Sequence, residues 1–189
     1  MEIEKDRLLF DESGGGVTFS GGEPLSQDKF LKAMLIGCKE RRLNSAVDTS
    51  GTGSLSSIDT LLLADLILFD IKGLNHHRST KETGIDVGEI EAVLESLAKN
   101  QKRIWLRMPY IPGYGLANES IESIMEWLEV RKEWFERINI LPFHRTASRK
   151  YELLGWDDAM KGQPDMSEKR VTIFAEQLRT VHKDIRIGG

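Results

Sequence analysis

Val17-Thr18-Phe19-Ser20-Gly21-Gly22-Glu23-Pro24 is a short β-forming run that stops at two glycines and a proline, and it opens the unit that decides the fold. Glycine reaches backbone conformations closed to other residues and proline fixes its own, so together they end a strand. Beyond the loop, Phe30, Leu31, Met34, Leu35 and Cys38 recur at three- and four-residue spacing, which predicts a helix from about Gln27 to Arg41. Ser45-Ala46-Val47-Asp48-Thr49 then reads as a second strand. Strand, loop, amphipathic helix and strand make a βαβ unit, whose two strands run parallel.

The same rhythm continues along the chain. After a break at Ser50-Gly51-Thr52-Gly53 come a helical segment near Ile58 to Ala64 and a strand from Asp65 to Ile71. In that strand Leu66, Ile67, Leu68 and Phe69 form an apolar run that suggests burial on both faces. A helix at Glu89 to Lys99 carries Ile90, Val93, Leu94 and Leu97 on one side, with Asp86 and Glu89 as a capping box. A strand at Arg103 to Met108, a helix at Glu119 to Arg131 and a strand at Arg137 to Leu141 follow. The last helix, Glu168 to Val181, buries Val171, Phe174, Ala175 and Leu178 behind an Asp165–Glu168 cap pair, and Ile185-Arg186-Ile187 makes a final short strand. The expected fold is α/β, a parallel open sheet or an incomplete barrel, in one domain over residues 1–189. Thr146 to Pro164 is the longest irregular stretch and reads as a lid or docking surface.

Composition narrows the function classes. With 189 residues, 40% hydrophobic and 30% charged, the chain suits a soluble globular domain. A net charge of −4 argues against a nucleic-acid footprint. The N-terminus, Met1-Glu2-Ile3-Glu4-Lys5-Asp6-Arg7, is charged where a signal peptide is apolar. The apolar stretch Leu61 to Phe69 is interrupted by Asp65 and too short to span a bilayer, so a cytoplasmic protein is expected. The single cysteine, Cys38, cannot close an internal disulfide or hold a metal cluster unaided, and it reads as a buried small hydrophobe. His76-His77 are adjacent and make a weak chelating pair. No phosphate-loop string occurs, and Gly14-Gly15-Gly16 lacks dinucleotide-loop spacing, which disfavours a nucleotide triphosphatase.

Parallel α/β folds bind ligands beyond the carboxyl ends of their strands. Read there, the chain offers Gly21-Gly22-Glu23, Asp48-Thr49, Asp70 with Lys72, Arg107 and His144. Each has a plain alternative: Asp48 and Asp70 could cap following segments, and Arg107 and His144 could be solvated loop residues. Their convergence favours a cleft for a polar, multiply charged small molecule. Carboxylates at Glu23, Asp48 and Asp70 suit an ammonium group, ribose hydroxyls or a cation, while Lys72 and Arg107 can meet a carboxylate. The same Asp48, Asp70 and Lys72 would also permit Schiff-base chemistry in an unrelated βα-barrel lyase.

Ser13-Gly14-Gly15-Gly16-Val17-Thr18-Phe19-Ser20-Gly21-Gly22-Glu23-Pro24 resembles the glycyl-radical-enzyme activases of the radical S-adenosylmethionine (SAM) superfamily, the pyruvate formate-lyase activating enzyme-like proteins. Asp48-Thr49-Ser50-Gly51, Asp70-Ile71-Lys72, Arg107-Met108-Pro109-Tyr110-Ile111-Pro112-Gly113 and Leu141-Pro142-Phe143-His144 support the likeness in order. The resemblance implies a partial (β/α)6 barrel, open where a partner's glycine loop enters. It implies that Ser20, Gly21, Gly22 and Glu23 hold the SAM amino group. Asp70, Lys72, Arg107 and His144 would surround the methionyl and ribose parts, and Asp48 and Thr49 would hold a monovalent cation with help from the backbone near Leu68. A [4Fe–4S] cluster reduced by flavodoxin or a similar donor would cleave SAM, and the resulting 5′-deoxyadenosyl radical would take hydrogen from a glycine of a partner such as pyruvate formate-lyase. The cofactors supply the chemistry, so no catalytic side chain is expected.

The family's cluster rests on a C-x3-C-x2-C loop after its first barrel strand, upstream of the glycine-glycine-glutamate motif, and these residues contain no such loop. The expectation is therefore an N-terminally truncated radical SAM domain lacking its first βα unit: a fragment of a longer activase, or alternatively a non-catalytic remnant acting as a binding or docking module. Such a chain would bind no cluster and cleave no SAM unaided. Its first strand would be an exposed edge, inviting dimerisation.

Overall fold

The computed structural model describes residues 2–52, 57–75, 86–145, 151, 153, 155–157 and 160–188. Gly53, the His76-His77 pair and much of the Thr146–Pro164 stretch lie outside the described residues.

Six parallel strands form one sheet: β1 (Gly16–Phe19), β2 (Asn44–Thr49), β3 (Leu66–Asp70), β4 (Ile104–Tyr110), β5 (Arg137–Pro142) and β6 (Ile185–Ile187). Their spatial order is their sequence order, with every adjacent pair parallel. A doubly wound sheet reverses at a switch point, whereas this one advances in a single direction, the winding of a barrel. Among the described residues β1 pairs only with β2 and β6 only with β5, so the sheet has two edges.

Helices α1 (Arg7–Ser13), α2 (Asp28–Glu40), α3 (Ile58–Leu61), α4 (Val87–Lys99), α5 (Ile121–Arg131) and α6 (Glu168–Leu178) connect or flank the strands. Strand residues alternate between faces, and β4 shows the result: Ile104, Leu106, Met108 and Tyr110 are buried, while Trp105, Arg107 and Pro109 are half-buried. The buried parity of β2 to β5 joins Leu31 and Leu35 of α2, Ile90, Val93, Leu94 and Leu97 of α4, Ile124 and Leu128 of α5 and Phe174 and Leu178 of α6 in one core. That puts the helical layer on one face and leaves the other face for polar groups.

Three sequence expectations change. Leu66 and Leu68 are half-buried, not enclosed, because the face of β3 opposite the helices is not covered. Phe30 is 62% exposed although its spacing matches the core face of α2; Leu31, Leu35 and Cys38 fill that face instead. Asp165 does not cap α6: its carboxylate accepts from the Arg145 backbone N–H at 2.8 Å, and Ser167 stands at the N-cap without a side-chain bond. Helix α1 has no apolar stripe, with Leu8 and Leu9 largely exposed, which is why periodicity did not reveal it. Asp86 does cap α4, accepting from Gly88 N–H at 2.8 Å. Cys38 is fully buried, and that burial pushes its thiol above its ordinary value, as for a packing cysteine. Among the described residues no helix is long and apolar enough to cross a membrane.

Candidate functional site: a carboxylate-lined cavity at the strand ends

The loop leaving β1 runs through Ser20, Gly21, Gly22 and Glu23, with Gly21 at φ +133°, a conformation that excludes side chains. Glu23 caps the short 3-10 turn Pro24–Gln27 by accepting from Leu25 N–H at 3.2 Å. The same oxygen, Oε1, accepts from Thr49 Oγ1 at 2.6 Å, and Oε2 accepts from the Ser50 N–H at 2.9 Å and its hydroxyl at 2.8 Å. These four bonds use the ordinary acceptor capacity of a carboxylate. Glu23 thus fastens the β1 loop to the end of β2.

The β2 exit is built as tightly. Gly51 has φ +75°, and a Cβ there would lie 2.6 Å from Phe69 Cζ, so the turn requires glycine on both counts. Thr49 Oγ1 accepts from Gly51 N–H at 3.0 Å, and Ser50 Oγ is hydrogen-bonded to Thr52 Oγ1.

Asp48, Asp70 and Arg107 share the open face because of register: Asp48 is opposite Leu68, two residues before Asp70, and Asp70 is opposite Arg107. Arg107 Nη1 reaches over β3 to Asp48 Oδ1 at 2.6 Å, while its Nε sits 3.2 Å from Asp70 Oδ1. Both contacts are ion pairs by distance, and among the described residues Asp70 Oδ1 and Arg107 Nε are buried without a hydrogen-bond partner. Ser20 Oγ donates to the other Asp48 oxygen at 3.0 Å. Burial raises the Asp70 pKa from 3.8 to about 6; Arg107 opposes that rise, Asp48 adds to it, Lys72 opposes it and Glu23 adds to it.

Lys72 leaves β3 exposed, but its backbone is held: Lys72 O accepts from Leu116 N–H at 3.1 Å. Gly115, at φ +49°, lies so close that a Cβ would fall 1.8 Å from that oxygen.

A cavity of about 510 Å³ opens among Ser20 to Glu23, Asp48 to Ser50, Thr52, Asp70 and Lys72. Eight of the residues singled out from the sequence therefore border one space, and Arg107 pairs with two of them. His144 follows β5, is exposed and does not line the cavity. Ser50 and Thr52 were not singled out; both lie in the loop after β2, where only their proximity to Asp48 pointed to them. Among the described residues no three histidine, cysteine or acidic side chains group as a metal site.

No family model matches the chain. It is 30% identical over 189 residues to the pyruvate formate-lyase 2-activating enzyme of Escherichia coli (strain K12), covering all of this chain and 64% of that protein. It is 31% identical over 169 residues to the choline trimethylamine-lyase activating enzyme of Oleidesulfovibrio alaskensis, covering 88% of this chain and 54% of that one. The chain spans between half and two thirds of these relatives' lengths. Among solved structures, a domain of pyruvate-formate lyase-activating enzyme from Bacteroides vulgatus superposes with a TM-score of 0.74 at 24% identity, covering 93% of this chain and 99% of that one. A radical SAM methyltransferase from Sphaerobacter thermophilus shares the fold with a TM-score of 0.70 at 16% identity, over 98% of this chain and 53% of that one. The pyruvate formate-lyase-activating enzyme of Clostridium pasteurianum is 32% identical over 161 residues, 85% of this chain and 67% of that protein. Identity at that level over two thirds of a relative, on a shared fold, makes this chain a member of the glycyl-radical-enzyme activating enzymes of the radical SAM family.

Proposed function

We propose that the cavity at the strand ends is the SAM cradle of a glycyl-radical-enzyme activase, and the single observation that carries this is the Asp48–Arg107–Asp70 bridge, whose two carboxylates line it. Two carboxylates with one guanidinium between them, each only about a fifth exposed, leave Asp70 Oδ1 and Arg107 Nε without hydrogen-bond partners. Buried polar atoms left in that state are unusual, and a ligand carrying a hydroxyl pair, a carboxylate and an ammonium group would satisfy them. The residues present fit SAM.

Each group then has a task set by its chemistry. Glu23 has its oxygens committed to Leu25, Thr49 and Ser50, so its part is to shape the Gly21-Gly22 loop and lend negative potential. The ligand's ammonium meets loop carbonyls bared by the glycines. Asp70 accepts from ribose hydroxyls. Lys72 and Arg107 would hold the carboxylate; His144, exposed and outside the cavity lining, would have to turn inward to meet the ribose side. Asp48, with Thr49 beside it, is the seat for a monovalent cation; the Thr49 hydroxyl is donated to Glu23, which leaves the Asp48 carboxylate as the main charge. On reductive cleavage SAM supplies the group that takes hydrogen from a partner's glycine.

The iron–sulfur cluster that the family's chemistry requires does not fit these residues. Their one thiol, Cys38, is fully buried in the core. The thiolates of a cluster would have to come from outside these 189 residues. The activity of the whole protein, its flavodoxin-type donor, its glycyl-radical partner such as pyruvate formate-lyase, and a cytoplasmic setting belong to this same proposal. A second reading is a binding or docking module that holds SAM or a partner without cleavage.

Calorimetric titration of the 189-residue chain with SAM tests the cradle. Saturable one-site binding that Lys72→Ala weakens tenfold or more is expected; heats no larger than dilution would sink the reading. Adding a separately supplied C-x3-C-x2-C segment, iron and sulfide, with dithionite as the electron donor, then separates activase from docking module by the appearance of 5′-deoxyadenosine.

A further inference from the structure

We infer that Asn139 is a positioning residue for Arg107, offering its guanidinium a second seat on the open face of the sheet. Asn139 lies in β5 opposite Arg107 of β4, and paired positions in adjacent parallel strands present their side chains to the same face about 4.8 Å apart. It is only 6% exposed. Its Nδ2 donates to Gly188 O at 2.7 Å, which fixes the amide orientation and identifies the other end as oxygen. That oxygen, Oδ1, is buried with no hydrogen-bond partner among the described residues.

A buried acceptor without a hydrogen bond, Asn139 Oδ1, and a guanidinium held to its neighbours by ion pairs alone therefore stand on paired register positions. Without ligand, charge decides the contest. Asp48 takes Nη1 at 2.6 Å because a carboxylate outbids a neutral amide for a guanidinium. When a cation or an ammonium group claims Asp48, Arg107 loses that partner. Asn139 then accepts the guanidinium without adding a charge, which moves it away from β2. With five N–H donors, Arg107 can bond Asn139 and a ligand carboxylate together. That movement gives the orphaned Asn139 Oδ1 a donor.

The ligand arm of this inference rests on the SAM reading; the protein arm does not. The test is a double-mutant cycle on the full 189-residue chain without ligand, read as thermal unfolding midpoints of parent, Asp48→Ala, Asn139→Ala and the double variant. Loss of the Gly188 bond occurs in both backgrounds and cancels. Asn139→Ala is expected to lower the midpoint by about 3 °C more in the Asp48→Ala background than in the parent. Asn139→Asp, which keeps an acceptor, should restore that difference. Asp48→Asn serves the same cycle where Asp48→Ala does not fold. Additive midpoints would overturn the inference. In the ligand arm, Asn139→Ala should weaken SAM binding about tenfold, and have no effect once Arg107 is Met; an equal loss in both backgrounds would reduce Asn139 to a packing residue. Should the parent take up no SAM while the cycle shows coupling, the cradle reading fails and the positioning role stands.

Discussion

Arg107 on β4 forms an ion pair with Asp48 on β2 at 2.6 Å, passing over the intervening strand β3 to do so. The reach is set by register and parity: both residues face the side opposite the helices, and Asp70 lies between them. A guanidinium that spans three strands neutralises two carboxylates which would otherwise repel each other at partial burial. Arg107→Met is expected to cost about 3 kcal/mol of folding stability, the scale for stranding a buried charge. Adding Asp48→Asn to it should recover part of that loss. Urea midpoints of the single and double variants check both statements, and equal destabilisation by the two would show that Asp48 is solvated enough not to need Arg107.

Asp70 gives the fold a pH dependence of definite sign. Its folded pKa is about 6 against an ordinary 3.8, so between those values the folded chain keeps a proton that the unfolded chain has released. The contribution to stability is full below the unfolded value and is lost as pH rises through the folded one. Asp70→Asn should therefore gain on the parent as pH rises from about 4 to about 7, by up to about 3 kcal/mol. Urea unfolding across that range measures it. A difference that is flat, or that shrinks with pH, would mean that Arg107 outweighs burial at this carboxyl.

Gly115 and Gly113 separate backbone strain from a steric clash in one loop. Both have positive φ, +49° and +76°, but only at Gly115 would a Cβ collide, 1.8 Å from Lys72 O; around Gly113 there is open space. Gly113→Ala should cost about 1 kcal/mol for the left-handed conformation alone. Gly115→Ala should cost more, about 3 kcal/mol, and it should also weaken SAM binding, because the oxygen that must move belongs to the residue proposed to meet the ligand's carboxylate. Equal effects of the two substitutions on binding would disconnect this loop from the cavity.

Much of this was legible in the sequence because it is written in local patterns. Alternating strand and helix implied a parallel α/β sheet, and its strand ends implied Asp48, Asp70 and Lys72, which line one cavity; Arg107, expected at an end, lies inside the longer β4 and reaches the site by pairing with both aspartates. What stayed hidden depends on partners distant along the chain. Nothing local says that Glu23 spends its oxygens on Thr49 and Ser50, 26 and 27 residues away. Asn139 sits among apolar strand residues and becomes informative only when register sets it beside Arg107. Phe30 misled for the opposite reason, since periodicity marks a face of a helix but not where that face stops being covered.

The edge at β1 makes a last expectation about the isolated chain. Gly16–Phe19 pairs on one side only, with β2, and Thr18 on it is exposed. An uncovered edge presents unpaired N–H and C=O groups to any second strand, and natural edges guard against this with charge. This strand has none, reading Gly16-Val17-Thr18-Phe19. The 189-residue chain is therefore expected to self-associate as its concentration rises, through β1 to β1 pairing. Thr18→Lys should reduce that association at least tenfold by placing a charge on the edge, without altering the core, which Thr18 does not enter. Light scattering on fractionated samples of both chains decides the matter. A parent that stays monomeric throughout would show that this edge is guarded by its short length alone.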